Sequence, residues 1–527
     1  MKKTSFLNHL GFFVIAISIL GFSSIPIWLG RQAETDSLVF RGTYVDTADY
    51  AVHLAMMQAG RLGEWAYQLR FTSEEHAPAF IRLFYILLGH ISRMLRLDVE
   101  TVYHAARWIF GFTALFAIDR LFQKIFSSKT PARFAFFLAV FGAGIGWLQL
   151  ILGVPLEPIS PIDLWLIDAY ILFSMALFPS FSLMLALMAA GLHFFLLFLE
   201  DGNWKHIVWV GSLAITSQLF NPIAFAVIDL SMVGAVLFHW WRNKKTNFKQ
   251  GYALLILAFV QMPLFAYNLL ILARDPFWSR FTFQNETLSP PPIFYVWGFA
   301  PFWLFAIIGI IRSIREQNPT MGAMSTWVVS GFVLAYLPVL IQRRFLLGIT
   351  IPLAVLAIYG FQYLVTKLPI ALQALKKREN LLCFTYVLLA SISSLFLTLN
   401  SSLYVLGHPS NLYYPRDLEA AIQWLDNNSS PNDFVLAEVQ TSQILAQKTH
   451  LKMYVGHEME TLYFHNKEAV MQAYFNGTIS DEWLSQTPIR WVIYGPYESE
   501  IASSFQPSLS LEPVYQNESV KIYKVIQ

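Results

Sequence analysis

The chain of 527 residues is strongly apolar and nearly neutral. Hydrophobic residues make up 56% of it, charged residues only 13%, and the formal net charge is +2. A soluble domain is about 25% charged, so this composition excludes an ordinary soluble protein, and the small net charge does not indicate nucleic-acid binding. The single cysteine, Cys383, excludes an intrachain disulfide and a cysteine-based metal site.

Apolar runs of about 20 residues recur through the first 400 residues and predict an α-helical polytopic membrane protein. With the N-terminus in the cytoplasm, basic residues concentrate in the predicted cytoplasmic loops, as the positive-inside rule requires. This orientation places the long first loop, residues 30–100, and the C-terminal residues outside the cytoplasm. Eleven spans are predicted, near residues 9–29, 101–123, 133–152, 179–199, 206–220, 223–241, 252–272, 293–311, 323–341, 345–365 and 381–399.

One apolar segment within the first loop is not counted as a span. Counting residues 78–95, PAFIRLFYILLGHISRML, would turn the basic residues that follow the second span outward. The segment is therefore predicted to be an interfacial or re-entrant helix on the outer face.

From about Ser401 onward the sequence becomes more polar. The segments DLEAAIQWLDNN and EAVMQAYF are predicted to be helical, whereas DFVLAEV, KMYVGHE, RWVIYG, EPVYQN and SVKIYKVI are predicted to be strands. The alternation predicts an extracytoplasmic α/β domain over residues 401–527, following a membrane domain over residues 1–400 that includes the first loop. The predicted location is the bacterial plasma membrane.

Two carboxylates and an imidazole share one side of the helix predicted for VDTADYAVHLAMMQAG in the first loop. Asp46, Asp49 and His53 are spaced three and four residues apart. A carboxylate at the membrane edge can act as general base on an incoming hydroxyl, whereas the alternative is that Asp46 caps the helix and the others face water. Downstream, TSEEHAPAF adds Glu75 and His76 as candidates for substrate binding. Polar groups are costly to desolvate at this position, so the cluster favours the functional interpretation.

Basic and aromatic residues in other outer segments are further candidates for substrate binding. Arg343 and Arg344 interrupt the charge pattern between two predicted spans, where two guanidinium groups can bind a phosphate or, alternatively, reach to lipid headgroups or pair with a first-loop acid. In the loop 274–292, Arg280 accompanies aromatic residues and amides, a mixture that suits sugar rings and also occurs in interfacial aromatic belts. His457 and Glu460 follow a predicted strand, where sites gather in α/β sheets, although a lone histidine in a loop is more often plain surface.

No cofactor is predicted. Asp163 and Asp168 form an acidic outer segment that can contribute to a metal site. Their spacing does not match a ligand set, so a divalent metal remains an open alternative.

The first loop and its neighbours resemble the GT-C superfamily of integral-membrane glycosyltransferases, which includes protein O-mannosyltransferases and the aminoarabinose transferases of lipid A. The resemblance covers residues 1–130 and rests on VDTADY, EEHAPAFIRLFYILLGH and AARWIFGFTALFAIDRLFQKIF. It implies a sugar donor linked to polyprenyl phosphate, a glycan, lipid or protein acceptor, and a catalytic carboxylate in the first loop. Asp46 or Asp49 would take that role. Asp49 is preferred because it heads the helix, but the chain has DTAD where the family has adjacent acids.

Two other functions fit the general plan of the sequence. A transporter or flippase would carry charges within its spans and Gly/Pro-interrupted helices in related halves. Charged residues within the predicted spans are few, and Asp229 is the clearest. An O-antigen polymerase or ligase would also act on lipid-linked sugars. Such proteins resemble this general plan, but they usually rely on arginines and a histidine in a late outer loop and not on a first-loop acid.

Overall fold

A computed structural model of the protein describes residues 2–155, 160–369, 373–480 and 482–526, and most of them are helical. The α-helices are α1 Lys2–Ser23, α2 Ile25–Gln32, α3 Thr47–Leu62, α4 Leu83–Leu95, α5 Val99–Ile125, α6 Lys129–Phe141, α7 Gly146–Ile151, α8 Ile171–Leu177, α9 Pro179–Asp201, α10 Trp204–Phe220, α11 Ala226–Asn243, α12 Phe248–Arg274, α13 Pro276–Gln284, α14 Pro292–Gly298, α15 Ala300–Glu316, α16 Pro319–Leu334, α17 Thr350–Thr366, α18 Gln373–Lys376, α19 Glu379–Ala390, α20 Ile392–Leu406, α21 Arg416–Asn428, α22 Val439–Lys448, α23 Phe464–Phe475, α24 Glu482–Ser485 and α25 Pro496–Ile501. The 3-10 helices are η1 Ile162–Leu164, η2 Ile167–Ala169 and η3 Gln342–Leu346, and the strands are β1 Leu38–Phe40, β2 Tyr413–Pro415, β3 Phe434–Leu436, β4 Lys452–Met453, β5 Ile489–Tyr494, β6 Leu511–Gln516 and β7 Lys521–Val525.

The chain forms two compact units, each assembled from three separate stretches of sequence. Unit 1 comprises Met1–Ile25, Ala106–Leu269 and Glu286–Asn400, and unit 2 comprises Pro26–Ala105, Leu270–Asn285 and Ser401–Gln527. The first loop therefore belongs to the same compact unit as the C-terminal residues, whereas the sequence analysis assigned it to the membrane domain.

Unit 1 contains most of the apolar helices, packed around a large core of aliphatic and aromatic side chains. Within the described ranges, three helical segments are long and apolar enough to cross a membrane, namely Pro179–Asp201, Phe248–Arg274 and Glu379–Leu406. Two helix pairs satisfy the same length and hydropathy criteria when each is taken as one span: Leu10–Ser23 with α2, bent by 50°, and α14 with α15, bent by 96°. The prediction of a helical membrane protein agrees with these segments, but eleven continuous spans are not confirmed.

The span predicted at 133–152 is not a single helix, because α6 ends at Phe141 and α7 begins only at Gly146. In the intervening FGAGIG run, a Cβ atom on Gly144 or Gly146 would collide with the carboxylate of Asp163. That buried carboxylate accepts hydrogen bonds from the amide of Gly146 at 3.0 Å and the hydroxyl of Ser393 at 2.5 Å. The glycines thus allow the backbone to leave the helix and contact a buried acid, which a hydropathy average does not detect.

Five strands of unit 2 form one sheet in the order β4-β3-β5-β7-β6. Strands β4, β3 and β5 run parallel, and β7 and β6 are antiparallel to their neighbours. The helices and strands predicted for the C-terminal residues are present, except that of the strand predicted for KMYVGHE only β4, Lys452–Met453, is a strand. Strand β1 of the first loop pairs antiparallel with β2, with Val39 opposite Tyr414, and this pairing ties the loop to the C-terminal part of the chain.

Helices α3 and α4 of the first loop approach each other at two glycines. A Cβ atom on Gly89 would collide with the backbone carbonyl of Met57, and one on Gly60 would collide with that of Ile86. The two helices therefore pack with their backbones in contact, and this contact holds α3, which carries the candidate base, against α4.

We expect Gly89→Ala to lower the free energy of unfolding by about 1–3 kcal/mol, the usual cost of overpacking a tight contact. Gly21→Ala in α1 is the matched control, because no atom lies within 4 Å of its added Cβ and alanine is the better helix former. The measurement is the thermal midpoint of the purified protein in detergent. Equal midpoints for the two variants would contradict the close packing of α3 and α4.

Two carboxyl groups lie just beyond the carboxyl ends of the adjacent parallel strands β3 and β5. Glu438 accepts a hydrogen bond from the amide of Gln440 at 2.5 Å, and its own amide donates to the carboxylate of Glu498 at 2.7 Å. Burial, with a smaller contribution from the charge of Glu498, raises the pKa of Glu438 to about 7. The folded protein therefore holds a proton that the unfolded chain releases at neutral pH.

We expect the free energy of unfolding to fall as the pH rises from about 4.5 to 7, because the folded state binds more protons than the unfolded state across that interval. Glu438→Gln keeps an acceptor oxygen and removes the titrating group, so it should flatten this dependence and raise the thermal midpoint at pH 8. Glu500→Gln, an exposed glutamate of the same unit, is the control. Parallel pH profiles for wild type and Glu438→Gln would contradict the assignment.

Candidate active site

Helix α3 begins at an aspartate that acts as its N-cap. Asp46 has φ of 54°, and its Oδ1 accepts a hydrogen bond from the amide of Asp49 at 3.2 Å. Aspartate adopts this left-handed conformation more readily than most residues, and its short side chain satisfies an amide at the start of the helix. Asp46 therefore has the capping role that the sequence left as the alternative to catalysis.

Asp49 lies in the first turn of α3 and is held by a histidine. Its Oδ1 is 3.3 Å from Nε2 of His457, and 39% of its side chain is exposed. The Nδ1 atom of His457 accepts hydrogen bonds from the amides of Met459 and Glu460 at 3.1 and 3.3 Å. This pattern assigns the imidazole proton to Nε2, which donates to Asp49. Because His457 is only 6% exposed, its ring orients the carboxylate while that carboxylate still reaches solvent.

Glu460, three residues after His457 in the sequence, is the buried member of a salt bridge. Glu460 is 1% exposed, forms an ion pair with Arg82 and accepts a hydrogen bond from the hydroxyl of Tyr67 at 3.1 Å. Burial lowers the pKa of Arg82, but the charges of Glu460 and Asp49 raise it more, so that its pKa lies above the ordinary value. The site thus combines two carboxylates, an imidazole and a guanidinium within unit 2.

Of the two members of this salt bridge, Glu460 is named with His457 from the sequence, whereas Arg82 is not. Arg82 interrupts the apolar segment at residues 78–95, and a charge within such a segment is a signal that could have been used. Glu460 follows His457 by three residues, but nothing local indicates that its side chain is buried.

The residues His457–Thr461 form a compact turn, called here the 457–461 turn. The hydroxyl of Thr461 accepts a hydrogen bond from the amide of His457 at 3.3 Å. The amide of Thr461 donates a hydrogen bond to the carbonyl of His457 at 2.8 Å. From α13, the side-chain amide of Gln284 donates to the carbonyls of Glu458 and Thr461 at 2.7 and 2.6 Å. These bonds hold the turn in one conformation and so fix the imidazole that orients Asp49.

The first-loop candidates His53 and Glu75 lie in different surroundings. The ring of His53 stacks on that of Tyr85 in α4, with 4.0 Å between centroids, so it contributes to the α3–α4 packing. Glu75 is exposed. Their predicted contact with substrate stays a prediction.

His76 is built into the loop by both ring nitrogens. Its Nε2 accepts the amide of Leu69 at 2.9 Å, so its Nδ1 carries the proton and donates to the carbonyl of Glu74 at 2.8 Å. The ring stacks on Phe277 with 3.8 Å between centroids, and burial lowers the pKa of His76. These contacts favour a structural role over the predicted contact with substrate.

The two adjacent arginines of unit 1 lie in η3. Arg344 donates to the carboxylate of Asp168 at 3.0 Å, so this candidate metal ligand forms an ion pair. The guanidinium of Arg343 lies 5.5 Å from the ring centroid of Trp165. Across the parts of the chain that the structure describes, no group of three or more His, Cys, Asp and Glu side chains is arranged to hold a metal ion.

Two solved structures share this architecture over nearly the whole chain. ArnT from Cupriavidus metallidurans, determined with bound undecaprenyl phosphate, has a TM-score of 0.54 and 12% identity, and the similarity covers 98% of this chain and 97% of ArnT. The arabinofuranosyltransferase AftD from Mycobacteria has a TM-score of 0.56 and 12% identity over 97% of this chain, which spans 40% of the length of AftD. No protein-family model and no curated protein matches the sequence.

The chain therefore shares its fold with ArnT and AftD. The resemblance predicted from the first 130 residues is confirmed for the fold. At 12% identity the similarity carries no residue roles.

Proposed function

We propose that this protein transfers a sugar from a polyprenyl-phosphate-linked donor to an acceptor hydroxyl at the extracytoplasmic face of the membrane. Asp49 is the general base, and the configuration at the anomeric carbon is inverted. The observation that carries this proposal is the environment of Asp49, a carboxylate that is partly exposed and yet oriented by a buried imidazole. The GT-C-like fold supports the class of reaction, since ArnT in the compared structure binds undecaprenyl phosphate.

Asp49 suits the role of base better than Asp46 does. The Oδ1 atom of Asp46 is used by the helix start, where it accepts the amide of Asp49. The carboxylate of Asp49 receives its hydrogen bond from a side chain whose own position is fixed by two backbone amides. A base held in this way stays close to its productive geometry without being removed from solvent.

The reaction needs one proton transfer and one substitution at carbon. The acceptor oxygen forms a bond to the anomeric carbon from the side opposite the phosphate, and its proton passes to the carboxylate of Asp49. The bond between the anomeric carbon and the phosphate oxygen breaks, and the polyprenyl phosphate leaves with the electron pair. Attack opposite the leaving group inverts the anomeric configuration.

A cation is needed to stabilise the departing phosphate, and Arg343 is the residue that we assign to this task. Its neighbour Arg344 is oriented by Asp168, so the backbone of η3 between the two arginines is anchored. A guanidinium donates two parallel hydrogen bonds to a phosphate, which a lysine does not.

We expect Arg343→Gln to lower kcat/KM for the lipid-linked donor about tenfold or more, because a charged hydrogen bond to the departing phosphate contributes roughly 1.5–3 kcal/mol. The matched control is Arg242→Gln, an exposed arginine at the end of α11. Initial rates over a range of donor concentrations measure the effect. An unchanged kcat/KM for the donor would remove Arg343 from the phosphate site and leave the class of reaction untouched.

The class of reaction is tested with the purified full-length protein reconstituted in sealed proteoliposomes. A panel of radiolabelled sugars on undecaprenyl phosphate is offered together with an acceptor fraction from the cell envelope, and nucleotide-linked sugars serve as the alternative donors. We expect label to be transferred from a lipid-linked donor only, with release of undecaprenyl phosphate. Transfer from nucleotide sugars, or movement of intact lipid-linked sugar across the bilayer without bond cleavage, would overturn the proposal.

A further inference from the structure

We propose that a groove beside the 457–461 turn binds a neutral sugar ring of the acceptor, so that the acceptor is a saccharide. This inference rests on the proposed function, which leaves the acceptor undefined. The groove lies within unit 2 and has a volume of about 320 Å³. Its lining includes Gln284, Glu458, Tyr463, His465 and Asn466.

The 457–461 turn faces the candidate base on one side and the groove on the other. His457 and Glu460 point inward, where they contact Asp49 and Arg82 and are almost fully buried. Glu458 lines the groove, and 65% of its side chain is exposed. Consecutive Cα atoms are about 3.8 Å apart, so the wall of the groove begins one residue from the histidine that holds the base.

An aromatic ring and several polar groups give the groove the chemistry of a sugar site. Tyr463 is 45% exposed, and the guanidinium of Arg280 lies 4.9 Å from its ring centroid, which restrains the ring. An aromatic face matches the C–H face of a sugar, and the amide of Asn466 with the polar atoms of His465 can bind hydroxyl groups. This places Arg280, a predicted substrate-binding residue, next to the groove.

The backbone of Tyr463 supports a role beyond packing. Its φ is 59°, a left-handed conformation that is uncommon for a bulky aromatic residue. Such conformations cost free energy and concentrate at binding sites, where the surrounding structure maintains them. Tyr463 is the residue just before α23, so this conformation sets where its ring stands at the start of the helix.

Charge and size indicate what kind of ligand fits. Glu458 and His465 lie 3.9 Å apart and carry opposite charges when the imidazole is protonated. With the positive charge of Arg280 included, the net charge around the groove stays small. A neutral saccharide therefore fits better than a phosphate or an acidic headgroup. The volume is at the lower end of the range for small-ligand sites, about 300–1,000 Å³, which suits a short saccharide.

Saturation-transfer NMR on the full-length protein in nanodiscs tests the groove, with methyl glycosides of neutral hexoses and of N-acetylhexosamines as probes. We expect saturation transfer to at least one probe, and affinity about tenfold weaker in Tyr463→Asn, because asparagine tolerates the left-handed conformation but removes the aromatic face. Tyr404→Asn, which removes a similarly exposed tyrosine of unit 2, is the matched control and should bind as wild type does. No transfer to any probe, or equal affinity in both variants, would overturn the inference.

Transfer kinetics separate the groove from the base. We expect Tyr463→Asn to raise the acceptor KM about tenfold, whereas Asp49→Asn loses transfer and still binds the methyl glycoside. If Asp49→Asn transfers sugar at the wild-type rate while the glycoside binds, the proposed base fails and the groove stands. If Tyr463→Asn keeps the wild-type acceptor KM, the groove fails and the proposed base stands.

Discussion

Asp49→Asn is expected to reduce glycosyl transfer by about 10²–10⁴-fold, the usual contribution of a general base. Asparagine has nearly the same shape as aspartate, and its carbonyl oxygen can still accept the hydrogen bond from Nε2 of His457. The substitution therefore removes proton acceptance and leaves the first turn of α3 in place. The loss should appear in kcat, because the acceptor still binds while its proton has no acceptor.

The matched control for this experiment is Asp46→Asn. It makes the same chemical change three residues earlier, and asparagine is as good an N-cap as aspartate and also tolerates positive φ. Transfer close to the wild-type rate is expected, with an unchanged thermal midpoint. Single-turnover rates with a labelled lipid-linked donor measure both variants. If Asp46→Asn were inactive and Asp49→Asn active, the two roles would be exchanged.

The second large effect is expected on stability. Arg82→Met should lower the free energy of unfolding by about 3 kcal/mol, because it leaves the carboxylate of Glu460 buried without its ionic partner. The value is at the low end for buried pairs because 34% of the Arg82 side chain is exposed and solvent screens that end of the pair. In this variant Glu460 still accepts a hydrogen bond from the hydroxyl of Tyr67, but that bond satisfies only one of the two carboxylate oxygens.

The pair is tested by a double-mutant cycle read by thermal unfolding in detergent. Arg82→Met with Glu460→Met should recover most of the loss, because two apolar side chains leave no unpaired charge. Arg93→Met, an exposed arginine of α4, controls for the loss of an arginine alone. If Arg82→Met were as stable as Arg93→Met, the ion pair would contribute nothing to stability, and the hydrogen bonds from Gln284 would be what holds the 457–461 turn.

Local patterns predicted much of unit 2 and the start of the candidate site. The C-terminal helices and strands were predicted because periodicity in a short window reports which face of an element is buried. The spacing of Asp46 and Asp49 showed that one of them could cap the helix and the other could face outward. Asp46 was the possible cap and Asp49 the preferred base already from the sequence, and the hydrogen bond from the amide of Asp49 shows that Asp46 does cap the helix.

The membrane part was less predictable because a hydropathy window averages over the features that break a helix. The break before α7 depends on glycines that contact Asp163, and the 96° bend between α14 and α15 lies within one apolar run. The window nevertheless sums apolar residues correctly, so the class of protein could be predicted although the helix boundaries could not.

By itself, the sequence determined that the protein is a helical membrane protein with a polar α/β region at its C-terminus and an acidic helix in its first loop, because composition and periodicity are local properties. Only the tertiary structure decided that His457 orients Asp49 and that Arg82 pairs with Glu460. These contacts join the first loop to the far end of the chain, through the pairing of β1 with β2 and the packing of the loop within unit 2. Contacts at such sequence separation depend on how the whole chain folds, and no local pattern in one sequence records them.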